Sequence, residues 1–342
     1  MLSHLFMKRL SLFSLLLGIV LTLLPAGCQK SGSTVQGTDA DSTAMALGPD
    51  FSADSAWQWC QEQCAFGPRT MNSTAHEQCK DWIVEKFRQY GCTVSEQHAT
   101  LKGWDGTDLK ATNIIATTST DSSLPRIMLC AHYDSRPWAD NDPLESNRHT
   151  PVMGANDGAS GIAVMIEIAR LIQADTTLKV AVDFVCVDAE DYGTPLWEGN
   201  DDEQSWALGA RYWAQHEPYK AGNRPLFAIL LDMVGGENAT FYQEGLSLQY
   251  APAIVDKVWS AAQRAGYSTY FPMEQGGFVT DDHVPVNRDA HVPCVDIIAF
   301  YPNCEQSSFG PTWHTVNDDM QHIDRQTLKA VGQTVLQVIY EM

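Results

Sequence analysis

One stretch of the sequence, from Lys179 to Gly193, constrains the fold more than any other. Its first half, residues 180–187, is apolar and β-branched with one polar interruption, and it predicts a buried strand. The stretch then ends in three acidic residues within four positions: Asp188, Glu190 and Asp191. Carboxylates at the end of a core strand are costly unless they bind something, and ligands usually bind at the carboxyl ends of strands in open α/β sheets. This stretch alone fits a solvated acidic loop or a ligand site, and the rest of the chain must decide between them.

Strand-like and helix-like segments alternate along residues 50–342. Apolar β-branched runs predict strands, and apolar residues at helical spacing predict helices. The predicted strands span 93–102, 113–117, 126–131, 179–187, 226–232 and 293–300, and the predicted helices span 52–64, 76–90, 158–174, 204–216, 251–265 and 324–340. This alternation predicts an α/β fold, a single globular domain with a central, mostly parallel mixed sheet and helices on both faces.

The N-terminus has the pattern of an export signal. Lys8 and Arg9 precede an apolar run, residues 10–24, that is short for a membrane span and is followed by small residues up to Cys28. Cys28 after Ala-Gly resembles the lipobox of bacterial lipoproteins, but Pro25 replaces the usual Leu, so cleavage to a soluble product stays an alternative. We expect a signal peptide in residues 1–28, a Ser-, Thr- and Gly-rich tether in 29–49, and the folded domain in 50–342.

The charge of the chain argues against polyanionic partners. The formal net charge is −20, and it becomes −22 without residues 1–28, which carry two basic residues and no acidic ones. A protein this acidic repels nucleic acid and anionic membrane surfaces. We therefore expect no nucleic-acid partner and membrane attachment only through a lipid at Cys28. The expected location of this exported bacterial protein is the periplasm or cell envelope, and we expect a monomer.

Polar side chains follow the predicted strands one after another. They are His132 and Asp134, then Asp157, Glu190 and Asp191, Asp232, Asp281 with Asp282 and His283, and His314. Because the ends of parallel strands meet at one edge of a sheet, we expect these side chains to share a site. Each has an ordinary explanation alone, since Asp157 could cap a helix and Asp232 or His314 could be buried and hydrogen-bonded. The joint arrangement across several strand ends favours a site.

Three of these side chains, from three separate loops, offer two oxygens and one ring nitrogen to a metal ion: Asp157, Asp191 and His314. Three protein ligands and one open position are the pattern of a catalytic zinc. Glu190 would lie beside that metal as a general base and acid. His132 could be a ligand of a second metal, with Asp134 as the carboxylate that orients it.

The order of these motifs resembles the zinc-aminopeptidase superfamily and, within it, the animal-type glutaminyl cyclases with their bacterial relatives. The motifs are His132-Tyr133-Asp134, Gly-Ala-Asn-Asp157-Gly, Asp-Ala-Glu190-Asp191, Leu-Leu-Asp232, Asp282-His283 and Trp313-His314-Thr315. Features that favour the cyclase branch are Asp281 where aminopeptidases usually have Ser, Asp-Tyr-Gly after Glu190, and the aromatic residues Trp206 and Trp313. The resemblance covers about residues 50–342.

The resemblance implies an enzyme that converts the N-terminal Gln of peptides and proteins to pyroglutamate and releases ammonia. The resemblance assigns roles to three sets of residues in this chain. The ligands of one zinc ion would be Asp157, Asp191 and His314, the catalytic residues Glu190, Asp232 and Asp281, and the substrate-binding residues Trp206 and Trp313. Asp191 stands where the animal enzymes have Glu, and Asp232 is expected to share a hydrogen bond with Asp281. His132 matches a second-metal ligand of the aminopeptidases that the cyclases generally leave unused.

Two other functions stay open. A dizinc aminopeptidase would use His132 and Asp232 in addition to the three zinc ligands, bind two zinc ions and consume water. A surface lipoprotein that binds peptides or sugars without turnover would not need a proton shuttle. The intact Glu190-Asp191 pair argues against this last function.

Overall fold

The computed structural model describes residues 46–199, 202–220 and 222–342, and within these residues six strands form one mixed sheet. The strands are β1 (Thr93–Lys102), β2 (Asp108–Thr117), β3 (Arg126–His132), β4 (Ala181–Val187), β5 (Ala228–Asp232) and β6 (Cys294–Ile298), in the spatial order β1-β2-β4-β3-β5-β6. β2 pairs antiparallel with β1 and β4, whereas β4, β3, β5 and β6 pair parallel. The predicted mostly parallel mixed sheet is confirmed.

Helices cover both faces of this sheet. They are α1 (Ala53–Cys64), α2 (Thr74–Gln89), α3 (Ala159–Ile172), α4 (Leu208–Gln215), α5 (Gly245–Tyr250), α6 (Pro252–Arg264), α7 (His283–Arg288) and α8 (Arg325–Tyr340). Neighbouring residues of β4 show the two faces, because successive side chains of a strand point in opposite directions. Phe184 packs into the larger core, which contains α1, α3 and α8, and Val185 packs into a smaller core with Trp213 of α4. The predicted α/β architecture is therefore confirmed.

Most predicted elements lie within a few residues of the observed ones, but the predicted start of the helix at residue 204 is wrong. Residues Glu203–Ser205 form one short 3₁₀ turn, Trp206 is extended, and Ala207 has a left-handed φ of +55°, so α4 begins only at Leu208. The left-handed backbone at Ala207 interrupts the helix although the residues on either side have helical spacing. The short helices α5 and α7 have six residues each and were not predicted, since one and a half turns are too short to show a period.

The parallel strands end at one edge of the sheet, which positions the site. In the β3–β4 pair, His132 lies opposite Val187, and in the β3–β5 pair Cys130 lies opposite Leu230. The residues that follow these strand ends therefore begin side by side. Asp232, the last residue of β5, contacts His132, the last residue of β3.

The N-terminal predictions fall mainly on residues that the structure does not describe. The predicted signal peptide, Cys28 and residues 29–45 of the tether lie outside the described residues, so they stay predictions. Near the start of the described chain, the Leu47 backbone N–H donates to the side chain of Gln337 in α8 at 2.6 Å. Within the described part of the chain, none of the helices combines the length and apolar character needed to cross a bilayer.

The close contact between α3 and β5 gives a testable prediction. A Cβ at Gly161 would overlap the backbone carbonyl oxygen of Leu231, the residue before Asp232. We expect Gly161→Ala to lower the free energy of unfolding by about 1–3 kcal/mol through overpacking, although alanine is otherwise the better helix former. Urea denaturation measures this change.

A matched control is Asp256→Ala, at an exposed position of α6. Its free energy of unfolding should stay within about 0.5 kcal/mol of the wild type. If Gly161→Ala unfolds at the same urea concentration as this control, that result contradicts the close packing of α3 on β5.

Candidate active site

Two carboxylates and one imidazole converge at the edge where the parallel strands end. Asp157 lies in the turn before α3, Asp191 in the loop after β4, and His314 in the loop after β6. Their donor atoms all lie within 4.8 Å of one another, and all three residues are buried. His314 Nε2 lies 3.3 Å from Asp191 Oδ1 and 3.7 Å from Asp157 Oδ2. The structure thus brings together the three residues that the sequence predicts as metal ligands.

This donor set fits a zinc ion. One ring nitrogen and two carboxylate oxygens from separate loops have the ligand number and type of a catalytic zinc. Asp191 Oδ2 is buried and has no hydrogen-bond partner among the described residues, which a bound cation would provide. His314 Nδ1 faces Asp140 Oδ1 at 3.3 Å, and a carboxylate in this position orients the imidazole of a metal-bound histidine.

Arg136 and Asp140 support this set and were missed by the sequence reasoning. The buried Arg136 donates to both oxygens of Asp140 at 2.9 and 2.6 Å and lies 3.5 Å from Asp191 Oδ1. Although burial opposes it, the Arg136 guanidinium holds the pKa of the Asp140 carboxyl well below its usual range. The one available signal was the four-residue spacing of opposite charges just after the His132 motif, which is common on ordinary protein surfaces.

Glu190 faces the same pocket beside the three predicted ligands. The pocket has a volume of about 330 Å³, and its lining includes Asp157, Glu190, Asp232, Asp281 and His314. Burial raises the pKa of the Glu190 carboxyl well above its usual range, with the nearby carboxylates adding to this shift and His132 opposing it. A raised pKa makes the carboxylate a stronger base, which suits general acid–base catalysis.

Asp134 fixes the backbone that carries Glu190 and Asp191. Its two carboxylate oxygens accept hydrogen bonds from the backbone N–H groups of those residues, each at 3.1 Å. The predicted contact from Asp134 to His132 Nδ1 is longer, at 3.6 Å. Ala189, just before Glu190, has a φ of +52°, a conformation that is unfavourable for a non-glycine residue and that the surrounding bonds must maintain. Asp134 therefore acts mainly on the loop that presents Glu190 and Asp191.

Two further buried acids hold the loops of the site. Asp188 accepts hydrogen bonds from the Thr112 backbone N–H and the Tyr133 hydroxyl, both at 2.7 Å. Asp318 accepts a hydrogen bond from the Asp157 backbone N–H at 3.0 Å. The sequence reasoning assigned neither role, because an acid that accepts backbone hydrogen bonds has no characteristic spacing.

His132 and Asp232 form a second donor set with Asp157. His132 Nε2 lies 3.0 Å from Asp157 Oδ1 and 3.2 Å from Asp232 Oδ1. The donor atoms of these three residues lie within 4.8 Å of one another, so Asp157 belongs to both donor sets. Burial raises the pKa of the Asp232 carboxyl to about 7, with Asp281 adding to the shift and His132 opposing it. The predicted hydrogen bond between Asp232 and Asp281 is not found between these described residues.

Aromatic side chains form the walls of the pocket. The Trp313 ring stacks on His314 with centroids 3.8 Å apart and packs against Phe309 at 5.0 Å. Trp206 lies directly over Gly193, where a Cβ would overlap the indole ring. Both predicted wall residues, Trp206 and Trp313, line the pocket. Phe309 lines it as well, and sequence reasoning missed it because the loop around it has no periodic pattern.

Glu244 holds the segment that carries Asp281. Glu244 Oε1 accepts a hydrogen bond from the Val279 backbone N–H at 3.0 Å, and its Oε2 lies 3.1 Å from His283 Nε2. These contacts lie on either side of Asp281 in the chain. Although burial opposes it, the neighbouring His283 ring and the backbone N–H groups of Leu246 and Ser247 lower the pKa of the Glu244 carboxyl to about 2.

Comparisons with known proteins find similar chains over most of the sequence. Peptidase family M28 matches residues 113–339. A solved glutaminyl cyclase of Bacteroides thetaiotaomicron, bound to N-acetylhistamine, is 49% identical with a TM-score of 0.82, and the match covers 86% of this chain and 99% of that one. A leucine aminopeptidase precursor from the same species is 48% identical with a TM-score of 0.81, covering 87% and 100%. Aminopeptidase YwaD of Bacillus subtilis is 28% identical over 255 residues, 72% of this chain, which spans about half (48%) of that relative.

The low pKa of Glu244 gives a prediction on stability. Because its folded-state pKa of about 2 lies below its ordinary value of 4.5, its contribution is complete above about pH 5 and is lost as the pH falls toward 2. The free energy of unfolding of the wild type should exceed that of Glu244→Gln by about 3 kcal/mol at pH 7 and by roughly half of this at pH 3. Urea unfolding with a chelator present measures both chains.

The control is Glu145→Gln, at an exposed position that is far from Glu244 in the sequence. Its difference from the wild type should stay within about 0.5 kcal/mol at both pH values. A difference for Glu244→Gln that stays constant between pH 7 and pH 3 would contradict a Glu244 carboxylate that its neighbours hold in the charged form.

Proposed function

Because the chain belongs to peptidase family M28, we propose that it is a zinc-dependent glutaminyl-peptide cyclotransferase, which converts the N-terminal Gln of peptides and proteins to pyroglutamate and releases ammonia. The observation that carries this proposal is the pocket, in which Glu190 lies beside a zinc-type donor set between the aromatic walls of Trp206 and Trp313. The identity of 49% with a solved glutaminyl cyclase, across 99% of that chain, supports it.

Asp157, Asp191 and His314 would hold one zinc ion in this pocket. When bound, the ion supplies a Lewis acid that polarises the γ-carbonyl of the substrate glutamine. Asp140 orients the His314 ring, and Arg136 balances the charge of Asp140 and Asp191. The chain therefore prepares both the position and the charge of the ligands before substrate arrives.

Glu190 moves the proton. The neutral α-amine of the substrate attacks the γ-carbonyl carbon and forms the nitrogen–carbon bond of the five-membered lactam, while Glu190 accepts a proton from that nitrogen. Glu190 then donates the proton to the γ-amide nitrogen as its bond to carbon breaks, and ammonia leaves. Glu190 returns to its starting state and no water is consumed, so the atoms balance without a co-reactant.

Asp281 and Asp232 would bind the polar groups of the substrate. Asp281 Oδ2 is buried in the pocket wall and has no hydrogen-bond partner among the described residues. It can accept a hydrogen bond from an N–H of the glutamine amide or amine. Asp232, with its pKa raised to about 7 by burial, can serve as donor or acceptor near neutral pH.

The aromatic walls favour cyclisation over hydrolysis. Both reactions start from attack on a carbonyl carbon, and water is the competing nucleophile. Trp206 and Trp313 line the pocket, and their rings would exclude water from beside a glutamine side chain bound between them. The internal amine of the substrate is then the nucleophile held closest to the carbonyl carbon.

A dizinc aminopeptidase is the second candidate function. It is favoured by one observation, the donor set of His132, Asp157 and Asp232, which matches the first set in ligand type and burial. The similarity to a leucine aminopeptidase precursor also fits it. Two zinc ions per chain and release of free amino acids would distinguish it from the cyclase.

We extend the proposal to the setting of the enzyme. The predicted signal peptide and the predicted lipid on Cys28 would place a monomer in the periplasm or on the cell envelope, with cleavage to a soluble form as the alternative. Exported proteins whose mature N-terminus is Gln would then be its substrates. The detection of only unmodified N-terminal Gln in the envelope of the producing cell would contradict this role.

The activity can be tested with two peptides that differ in the first residue. Residues 29–342 should release ammonia from a peptide that begins with Gln and leave the same peptide beginning with Leu untouched. Glu190→Gln should lower kcat for the Gln peptide by about 100-fold or more, because the proton shuttle is lost. The control Glu203→Gln, at the exposed rim of the pocket, should keep nearly full activity. Release of free Leu or Gln would mean an aminopeptidase, and full activity of Glu190→Gln would mean that Glu190 is not the shuttle.

The zinc content of histidine variants tests the assignment of the ligands. We expect one zinc ion per wild-type chain, loss of that ion in His314→Ala, and its retention in His132→Ala. His322→Ala, whose ring lies outside both donor sets, is the control. Metal analysis after gel filtration measures the content. Two ions in the wild type and one in His132→Ala would favour the dizinc aminopeptidase.

A further inference from the structure

A second, smaller cavity adjoins the active-site pocket. It has a volume of about 50 Å³. Four residues line both cavities: Phe278, Val279, Ile298 and Phe309. The smaller cavity is therefore the next space that a group would enter when it leaves the pocket past Phe278 and Phe309.

The walls of the smaller cavity are held in place by the fold. Gly276 donates a backbone hydrogen bond to the Gln243 carbonyl at 2.8 Å, and the Gly245 N–H donates to the Gly277 carbonyl at 2.7 Å. The Phe278 ring covers Gly245 so closely that a Cβ on Gly245 would overlap it. The cavity is thus formed before any ligand binds.

The charged residue that lines the smaller cavity, Glu244, already uses both of its oxygens. Oε1 accepts from the backbone N–H groups of Leu246 and Val279 at 2.7 and 3.0 Å. Oε2 accepts from the Ser247 N–H at 2.6 Å and lies 3.1 Å from His283 Nε2. Because Glu244 is 2% exposed and fully engaged, it offers nothing to a charged ligand. The cavity suits an apolar group.

We propose that this cavity binds the side chain of the residue that follows the N-terminal glutamine of the substrate, and that it selects aliphatic side chains. The inference rests on the proposed function. With the γ-amide at the donor set and the α-amine at Glu190, the peptide main chain must leave past the rim of the pocket. Phe278, which is 60% exposed, lies at this rim and separates the two cavities. A main chain that leaves on the Phe278 side brings the side chain of the second residue to this rim before any later side chain.

The size of the cavity sets the preferred side chain. A volume of about 50 Å³ accommodates about three or four non-hydrogen atoms, the size of a valine or leucine side chain. Tyr242 and Phe300, whose rings meet edge to face at 5.2 Å, supply apolar lining. A charged side chain would lose its water here without gaining a partner.

Gly277 allows the cavity to be filled with little disturbance of the fold. A Cβ at this position would lie 3.6 Å from Phe300 Cε2, which is an ordinary van der Waals contact, and the backbone does not require glycine. At the neighbouring Gly276, by contrast, a Cβ would lie 2.9 Å from the Tyr242 Cβ. Gly277→Ala is therefore the better probe of the two.

The test measures kcat/KM for ammonia release from Gln-Gly, Gln-Val, Gln-Leu and Gln-Asp amides. The wild type should favour Gln-Val or Gln-Leu over Gln-Gly and Gln-Asp by about tenfold, as expected when an apolar pocket gains a side chain. Gly277→Ala should reduce this ratio at least threefold and leave Gln-Gly, which has no side chain to lose, unchanged. Leu226→Ala, at an exposed position outside both cavities, is the control and should keep the wild-type ratio.

Each outcome separates the subsite from the activity. Equal values for Gln-Gly and Gln-Leu in the wild type, or a ratio that Gly277→Ala leaves unchanged, overturn the subsite while turnover of Gln-Gly upholds the cyclase. If Gly277→Ala also loses Gln-Gly turnover, the Phe278→Ala variant tests the subsite instead, because the Phe278 ring lies at the exposed rim of the pocket. Phe278→Ala should widen the cavity and raise the value for Gln-Phe relative to Gln-Gly, and an unchanged ratio overturns the subsite. No ammonia from any peptide overturns the proposed function and the subsite with it.

Discussion

The repulsion among buried carboxylates at one edge of the sheet is the constraint on which the rest of the structure depends. Among the buried carboxyl groups, Asp157, Glu190, Asp232 and Asp281 line the pocket, and Asp191 adjoins it. Buried anions are tolerated only when they are paired or neutralised. His132, His314 and Arg136 compensate part of the negative charge. The raised pKa values of Glu190 and Asp232 show that part of the repulsion is left uncompensated. A zinc ion would supply the rest, so metal binding and stability of this edge are linked.

The loops that present these groups are themselves held by buried acids. Asp134 binds the backbone of Glu190 and Asp191, Asp318 binds the backbone before α3, and Glu244 binds the segment around Asp281. A carboxylate that accepts backbone N–H groups fixes a loop without a regular element, which gives loop residues the precision that catalysis needs. The acidic composition of the chain therefore has a structural use inside the fold as well as a use in solubility.

The sheet and the candidate metal ligands could be predicted from the sequence because apolar runs and acidic residues occur together, the acids following the ends of the runs. Apolar runs mark the strands, and Asp191 and Asp232 stand where such runs end. The start of α4 could not be predicted, because the left-handed backbone at Ala207 breaks a helix whose apolar spacing continues through it. Asp318 escaped notice, since contacts with backbone groups leave no period in a sequence. Arg136 and Asp140 escaped notice because their four-residue spacing of opposite charges is common on ordinary protein surfaces.

His132 shows how one set of residues can suit two chemistries. Its Nε2 lies between Asp157 and Asp232, where a dizinc enzyme would place a second metal ion. Although burial opposes it, the carboxylates of Asp134, Asp157 and Asp232 raise the pKa of His132 well above its usual range. An imidazolium in this place neutralises the same two carboxylates that a second cation would neutralise. A single-zinc enzyme then needs only to keep that proton, and cyclase and aminopeptidase can share this edge of the sheet with few changes of residue.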